Sequence, residues 1–140
     1  MKDFLVEDLI KIFKALADRT RLRIVWLLCR AECEVCVCEI MDSLKESQYN
    51  ISRHINILKG AGLVRENKEG RWVYYSLVNL KNNFQDFILK AVKSIPDDMF
   101  KLDEERLRKR LSLRVNGRCV VGMNREEWIR LLNTEKSEKM

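Results

Sequence analysis

One proline and five glycines in 140 residues leave no room for a collagen-like repeat or a low-complexity chain. Long hydrophobic runs are also missing. The longest strictly apolar stretch, Ile24-Val25-Trp26-Leu27-Leu28-Cys29, is far shorter than the roughly 20 residues a membrane-spanning helix needs. No apolar core follows Lys2 to make an export signal, so the expectation is a cytoplasmic protein without a membrane partner. A disulfide framework is not expected either, because the cysteine count is odd and nothing points to export. What is present is a composition 46% apolar and 34% charged, which is enough to bury a core and argues against global disorder.

The charge is unevenly placed. Residues 47–96 carry 8 basic and 3 acidic side chains, whereas residues 1–46 carry 8 and 9, and residues 97–140 carry 11 and 9. A local basic excess on an otherwise balanced chain is the electrostatic footprint of nucleic-acid binding. The cysteines are uneven too: Cys29, Cys33, Cys36 and Cys38 cluster, and Cys119 stands alone. Clustered thiols in a reducing compartment serve metal binding or redox chemistry.

Apolar periodicity predicts a mainly helical protein. Phe4, Leu5, Leu9, Ile12, Phe13 and Leu16 mark a helix over 3–17, and Asp18 caps a second that runs to Arg30. Residues 36–44 form a short helix with Ile40 and Leu44 on one face. Ser47 caps the next, with Ile51, Ile55 and Leu58 inward and Gly60 and Gly62 as the stop. Residues 63–66 and 71–77 are strand-like around a turn at 67–70. A helix then starts at Asn79 and ends before Pro96. A charged helix over 102–111 follows, then a hairpin of 113–115 and 118–121 around Asn116-Gly117. Asn124 caps a last short helix through Trp128 and Leu132, and the polar end from Glu135 is expected to fray.

Helices followed by a basic two-stranded hairpin make a winged helix-turn-helix: mainly α, with a small β-hairpin wing and a C-terminal extension of helix, hairpin and short helix. The expected division is 1–95 as the DNA-binding domain and 96–140 as a C-terminal extension of unknown role. A major groove about 12 Å wide admits one helix, and a protruding basic hairpin reaches the neighbouring backbone. With Ile51, Ile55 and Leu58 inward, the other face shows Gln48, Tyr49, Asn50, Ser52, Arg53 and Asn56. Gln48, Tyr49 and Asn50 suit base edges. Ser52, Arg53, Lys59, Arg65, Lys68 and Arg71 suit phosphates.

The ordered motifs Lys14-Ala15-Leu16-Ala17-Asp18-Arg19-Thr20-Arg21-Leu22-Arg23-Ile24, Val35-Cys36-Val37-Cys38-Glu39-Ile40, the stretch 47–58, Gly62-Leu63-Val64 and Gly70-Arg71-Trp72-Val73-Tyr74-Tyr75 resemble the ArsR/SmtB family. The resemblance covers roughly residues 10–93. It implies a homodimeric repressor, joined through the 3–17 and 79–95 helices, that occupies a palindromic double-stranded operator until an inducer lowers its affinity. The Cys36-Val37-Cys38 element followed by Glu39 resembles the thiolate site of the family's arsenite and antimonite sensors and of its cadmium/lead sensors. As(III) or Sb(III) is therefore the expected inducer, Cd(II) and Pb(II) are further candidates, and no organic cofactor is expected. Met41 stands where the best-known arsenite sensors place a third cysteine, and the 79–95 stretch lacks the histidine of zinc-responsive relatives. The only histidine, His54, falls in the recognition helix as a packing or phosphate-facing residue.

The third ligand then comes from elsewhere. Cys33 is first by proximity, and Cys119 is second, delivered by a hairpin folding back. Cys29, in an apolar helix, reads as a small core residue. Successive helical residues lie about 100° apart, so Cys36 and Cys38 would point to nearly opposite sides of a regular helix. Either the first turn is unwound, or binding unwinds it and disturbs the recognition helix. Two other functions use the same thiols. One is a repressor sensing oxidants or sulfane sulfur through Cys33, Cys36 and Cys38. The other is a thiol oxidoreductase built on Cys33-x-x-Cys36, which lacks the expected βαβ frame, so an enzyme is not expected.

Overall fold

The computed structural model describes residues 4–78, 82–122 and 126–139, with side chains to Thr134. The first helix, α1 (Val6–Leu16), starts later than the apolar pattern suggests, because Asp8 turns back to accept from the Leu5 N–H at 2.9 Å. Asp18 Oδ1 accepts from the Arg21 N–H at 3.0 Å and starts α2 (Arg19–Ala31) as expected. Its central residues Ile24 to Leu28 are all buried, so this helix is the spine of the core. Ser47 Oγ takes the Asn50 N–H at 3.1 Å and opens α4 (Gln48–Gly60), the expected recognition helix.

Between them the chain departs from expectation. Residues Val35–Cys36 form a short strand, β1, and α3 (Val37–Leu44) begins only after it. A two-residue strand has no periodicity to read, and here it exists because β3 (Trp72–Leu77) offers an open edge. Val35 pairs with Tyr75 and Cys36 with Tyr74. The wing's other strand, β2 (Val64–Glu69), runs into the expected turn at 67–70, and Glu69 faces Trp72 across a tight Gly70-Arg71 connection. Gly70 sits at φ +60, where a side chain would be strained. The sheet is antiparallel, in the order β1-β3-β2.

The expected start at Asn79 lies outside the described residues. The helix there, α5 (Asn83–Lys93), is capped by Asn82, whose Oδ1 accepts from the Gln85 N–H at 2.9 Å. Then come α6 (Lys101–Leu111) and, further on, α7 (Glu126–Lys139), whose described backbone stays helical through the end expected to fray. The Asn124 cap also lies outside the described residues. Asn116 (φ 52) and Gly117 (φ 73) make the expected tight turn, but it closes on a single bridge, Val115 to Arg118, and no strands flank it. Beyond the bridge the chain packs on α3 and β3 instead of on itself.

One core runs through all of this. Ile12, Trp26, Ile40, Ile51, Ile55, Leu58, Leu63, Tyr74 and Val92 share it with Leu107 and Cys119 of the extension. The extension, residues 96–140, thus fills part of the same interior. No described helix is long and apolar enough to cross a membrane.

Candidate metal centre and nucleic-acid interface

Cys36 is the N-cap of α3 and has extended backbone, φ −71 and ψ 155. The first of the two expected alternatives therefore holds: Cys36 stands outside the helix, and its sulfur and that of Cys38 reach one point. The turn after α6 brings Cys119 to the same place. The sulfurs of Cys36, Cys38 and Cys119 lie within 4.8 Å of one another, and all three residues are buried. Cys38 Sγ and Cys119 Sγ are 3.7 Å apart. Both thiols also face the Val121 carbonyl, at 3.9 Å and 3.4 Å. The Cys119 N–H donates to the Tyr74 hydroxyl at 3.1 Å.

Cys33, the first choice by proximity, is not in this group. It is exposed, and its sulfur lies 4.0 Å from the Arg114 guanidinium. The turn between α2 and β1, with Glu32 in the left-handed region at φ 55, separates it from Cys36, so three positions along the chain do not translate into one helix face. Cys29 is half-buried, and desolvation pushes its thiol above the ordinary value.

The three clustered thiols share protons. Hydrogen bonds from Cys119 and Cys36 hold Cys38 well below the ordinary thiol range, with the Arg110 charge assisting and burial opposing. Bonds to Cys119 and Cys38, then burial and the Glu39 charge, push Cys36 up. For Cys119 the bond with Cys36 lowers the value, but the bond to Cys38 and burial outweigh it, and the thiol is raised. The arrangement favours one thiolate solvated by two thiols.

Three arginines tie the extension to α3, and no sequence-level expectation included them. Arg106 Nε donates to the Ser43 carbonyl at 2.6 Å. Arg110, 1% exposed, donates from Nε to Asp42 Oδ2 at 2.9 Å and from Nη2 to the Val121 and Gly122 carbonyls. Arg114 grips the fully buried Glu39 with Nε to Oε2 at 2.8 Å and Nη2 to Oε1 at 2.6 Å, which raises the Arg114 pKa. Glu39 Oε1 meanwhile accepts from the Cys36 N–H at 2.9 Å and so closes the first turn of α3. The spacing of these arginines by four was the available signal, since it repeats one helical face.

The proposed nucleic-acid face stands apart from the thiols. Gln48, Tyr49, Arg53 and Asn56 are exposed on α4, with Tyr49 at 79%. Asn50, Ser52 and Lys59 are half-buried beside them. Asn50 donates to Glu46 Oε2 at 2.9 Å and accepts from Arg53 at 3.0 Å, while Lys59 pairs with Glu66 at 3.0 Å. Arg65, Lys68 and Arg71 are exposed on the wing. Arg65 Nε donates to Ser76 Oγ at 3.1 Å, and the Arg71 guanidinium stacks 4.9 Å from the Trp72 ring centre. His54 is buried, packed between α4 and the α2 N-terminus, and its Nδ1 lies 3.1 Å from Arg21 Nη1.

A helix with an exposed polar face beside a basic two-stranded wing defines a winged helix-turn-helix DNA-binding protein. Residues 18–66 match the family model described as bacterial regulatory protein, arsR family. An HTH-type transcriptional regulator of Methanocaldococcus jannaschii is 49% identical over 73 residues, 52% of this chain and 81% of that protein. The arsenic resistance transcriptional regulator ArsR1 of Pseudomonas putida is 41% identical over 96 residues, 69% of this chain and 74% of that one. Among solved structures, HlyU from Vibrio cholerae is similar, with a TM-score of 0.54 and 28% identity over 62% of this chain and 89% of that one. The chain belongs to the ArsR family of DNA-binding transcriptional regulators and is not an enzyme.

Proposed function

We propose that this regulator is a homodimeric repressor that holds a palindromic operator and releases it when Cys36, Cys38 and Cys119 capture As(III) or Sb(III). The observation that carries the reading is the buried group of three sulfurs within 4.8 Å of one another. The donor set fits a three-coordinate thiophilic ion. Arsenous acid exchanging three hydroxyls for three thiols releases three waters and leaves a neutral product, which an apolar interior accepts. A divalent ion with three thiolates leaves a net negative charge there, while the nearby Arg110 and Arg114 are already engaged by Asp42 and Glu39. Glu39 has both oxygens engaged, so it is a poor fourth ligand.

On the DNA side, Gln48, Tyr49 and Asn50 meet base edges, and Ser52, Arg53, Asn56, Lys59, Arg65, Lys68 and Arg71 hold register and backbone. Dimerisation uses the apolar face of α1 and α5, where Leu5, Val6, Phe13 and Phe87 are at least half exposed in the single chain. Oxidant sensing through the same cysteines is the second reading, favoured by the 3.7 Å Cys38–Cys119 sulfur separation.

The test is competition of As(III), Sb(III), Cd(II), Pb(II) and Zn(II) for release of labelled operator DNA, with peroxide as a parallel arm. Proton exchange in weak buffer identifies the ion class. Whatever the starting ionisation, capture of Cd(II) by three sulfurs releases three more protons than capture of arsenous acid. Release by peroxide alone overturns the metalloid reading.

A further inference from the structure

The extension that delivers Cys119 does not stop at the thiols; it continues onto the wing. A methyl group added at Gly122 would lie 2.9 Å from two atoms of the Trp72 ring, so the backbone there is packed directly on the indole. Trp72 is the first residue of β3, and its ring also carries the Arg71 guanidinium, 4.9 Å from the ring centre. Two more contacts brace the same span. Arg118 pairs with Glu69, the wing residue that faces Trp72, and its guanidinium stacks 4.7 Å from the Tyr74 ring centre. The Tyr74 hydroxyl in turn holds the Cys119 N–H. The segment 118–122 therefore touches the ligand site at Cys119 and the wing at Trp72, through Gly122 three residues further on.

From this geometry we infer that Trp72 is the coupling residue between the thiol site and DNA: capture at Cys119 shifts the 119–122 backbone, the indole follows, and Arg71 loses its position on the DNA backbone. This rests on the reading of the three thiols as the inducer site and of Arg71 as a DNA contact. It places the output of the site on the wing, reached through the extension, in addition to any strain on α3. A route through α3 itself runs in parallel, since α3 packs on α4; the arginine contacts hold α3 at Glu39, in its capped first turn, and at Asp42. Coupling of this kind is reciprocal, so operator DNA weakens As(III) capture by the same factor that As(III) weakens operator binding.

The experiment uses the full chain and two separate titrations: As(III) binding followed by thiolate-to-arsenic ultraviolet absorption, and operator affinity with and without As(III). Trp72→Leu removes the ring that joins Gly122 to Arg71. Its As(III) affinity is expected to stay within about twofold of wild type. Its operator affinity without As(III) falls, because Arg71 is no longer supported. The As(III)-dependent loss of operator affinity, about tenfold or more in wild type, shrinks to a few-fold. Trp72→Phe keeps a ring against both neighbours and restores most of the factor. If Trp72→Leu binds As(III) and still releases operator by the wild-type factor, the coupling assignment is wrong. Should Trp72→Leu fail to fold by circular dichroism, Arg71→Gln carries the test, since removing the exposed endpoint must lower the factor and an unchanged factor overturns the assignment. If wild type shows no As(III) absorption, the reading of the thiol site fails first, and the coupling falls with it.

Discussion

Each clustered cysteine has its own backbone setting, and that setting decides what its sulfur can reach. Cys36 is extended, Cys38 is helical and Cys119 follows a left-handed turn. Replacing any of the three by serine is expected to abolish As(III)-dependent release while leaving operator binding largely intact, because a hydroxyl is a hard, poorly ionised donor. Cys33→Ser and Cys29→Ser keep the wild-type response; loss of response in Cys33→Ser would return Cys33 to the ligand set. His54 makes a second, pH-dependent prediction. Burial, helped by Arg53 and Arg21 and opposed by Asp18, lowers its pKa below the ordinary 6.5, and its Nδ1 lies within hydrogen-bond reach of the Arg21 guanidinium. The unfolded chain then takes up a proton more readily than the folded one, so stability rises with pH in this range. The contribution is complete above about 6.5 and is lost as pH falls below it toward the folded value. Urea midpoints for wild type and His54→Gln between pH 5 and 7.5 test this. The variant's slope flattens, and equal slopes refute the assignment.

Among elements, the pairing of α3 with α6 and the chain beyond it holds two buried ion pairs, Arg110 with Asp42 and Arg114 with Glu39. Arg110 and Asp42 are each about 1% exposed in the side chain, and Arg114 and Glu39 are 10% and 0%. Desolvating such pairs costs much of what their attraction returns, but removing one partner strands the other. Arg110→Ala is therefore expected to lose about 3–5 kcal/mol in urea unfolding. The double variant Arg110→Met with Asp42→Leu recovers part of that loss, since the uncompensated charge is gone. A single variant with wild-type stability would show the pair to be dispensable. These residues were not legible as partners beforehand. The spacing by four marks one face of a helix, but nothing in the chain says that α3 lies opposite it.

For the molecule as a whole, five of the eight basic side chains of residues 47–96 stand on α4 and the wing, while the thiols lie at the junction of α3, β3 and the extension. A dimer contacting ~6–10 phosphates is expected to lose about 10³–10⁵ in operator affinity between roughly 50 and 200 mM salt. Arg53→Ala lowers affinity on specific and random DNA alike, whereas Tyr49→Ala relaxes sequence preference. A flat salt response would remove the electrostatic basis of the DNA reading, and a monomer in analytical ultracentrifugation would remove the dimer.

The helices, the wing and the polar face of α4 could all be read along the chain, because each is a local pattern: a cap, a 3.6-residue period, a glycine turn. The ligand group could be read only in part. Cys36 and Cys38 announce themselves by spacing, but Cys36 stands outside the helix only because β1 pairs with β3, a contact between residues about 40 apart that two residues cannot encode as a pattern. Cys119 enters the group because Arg110, Arg114 and the Tyr74 hydroxyl draw its turn onto α3 and the wing. Which of Cys33 and Cys119 joins the pair is a question of where a distant segment docks. Packing and buried hydrogen bonds decide that, and neither is visible until the chain is folded.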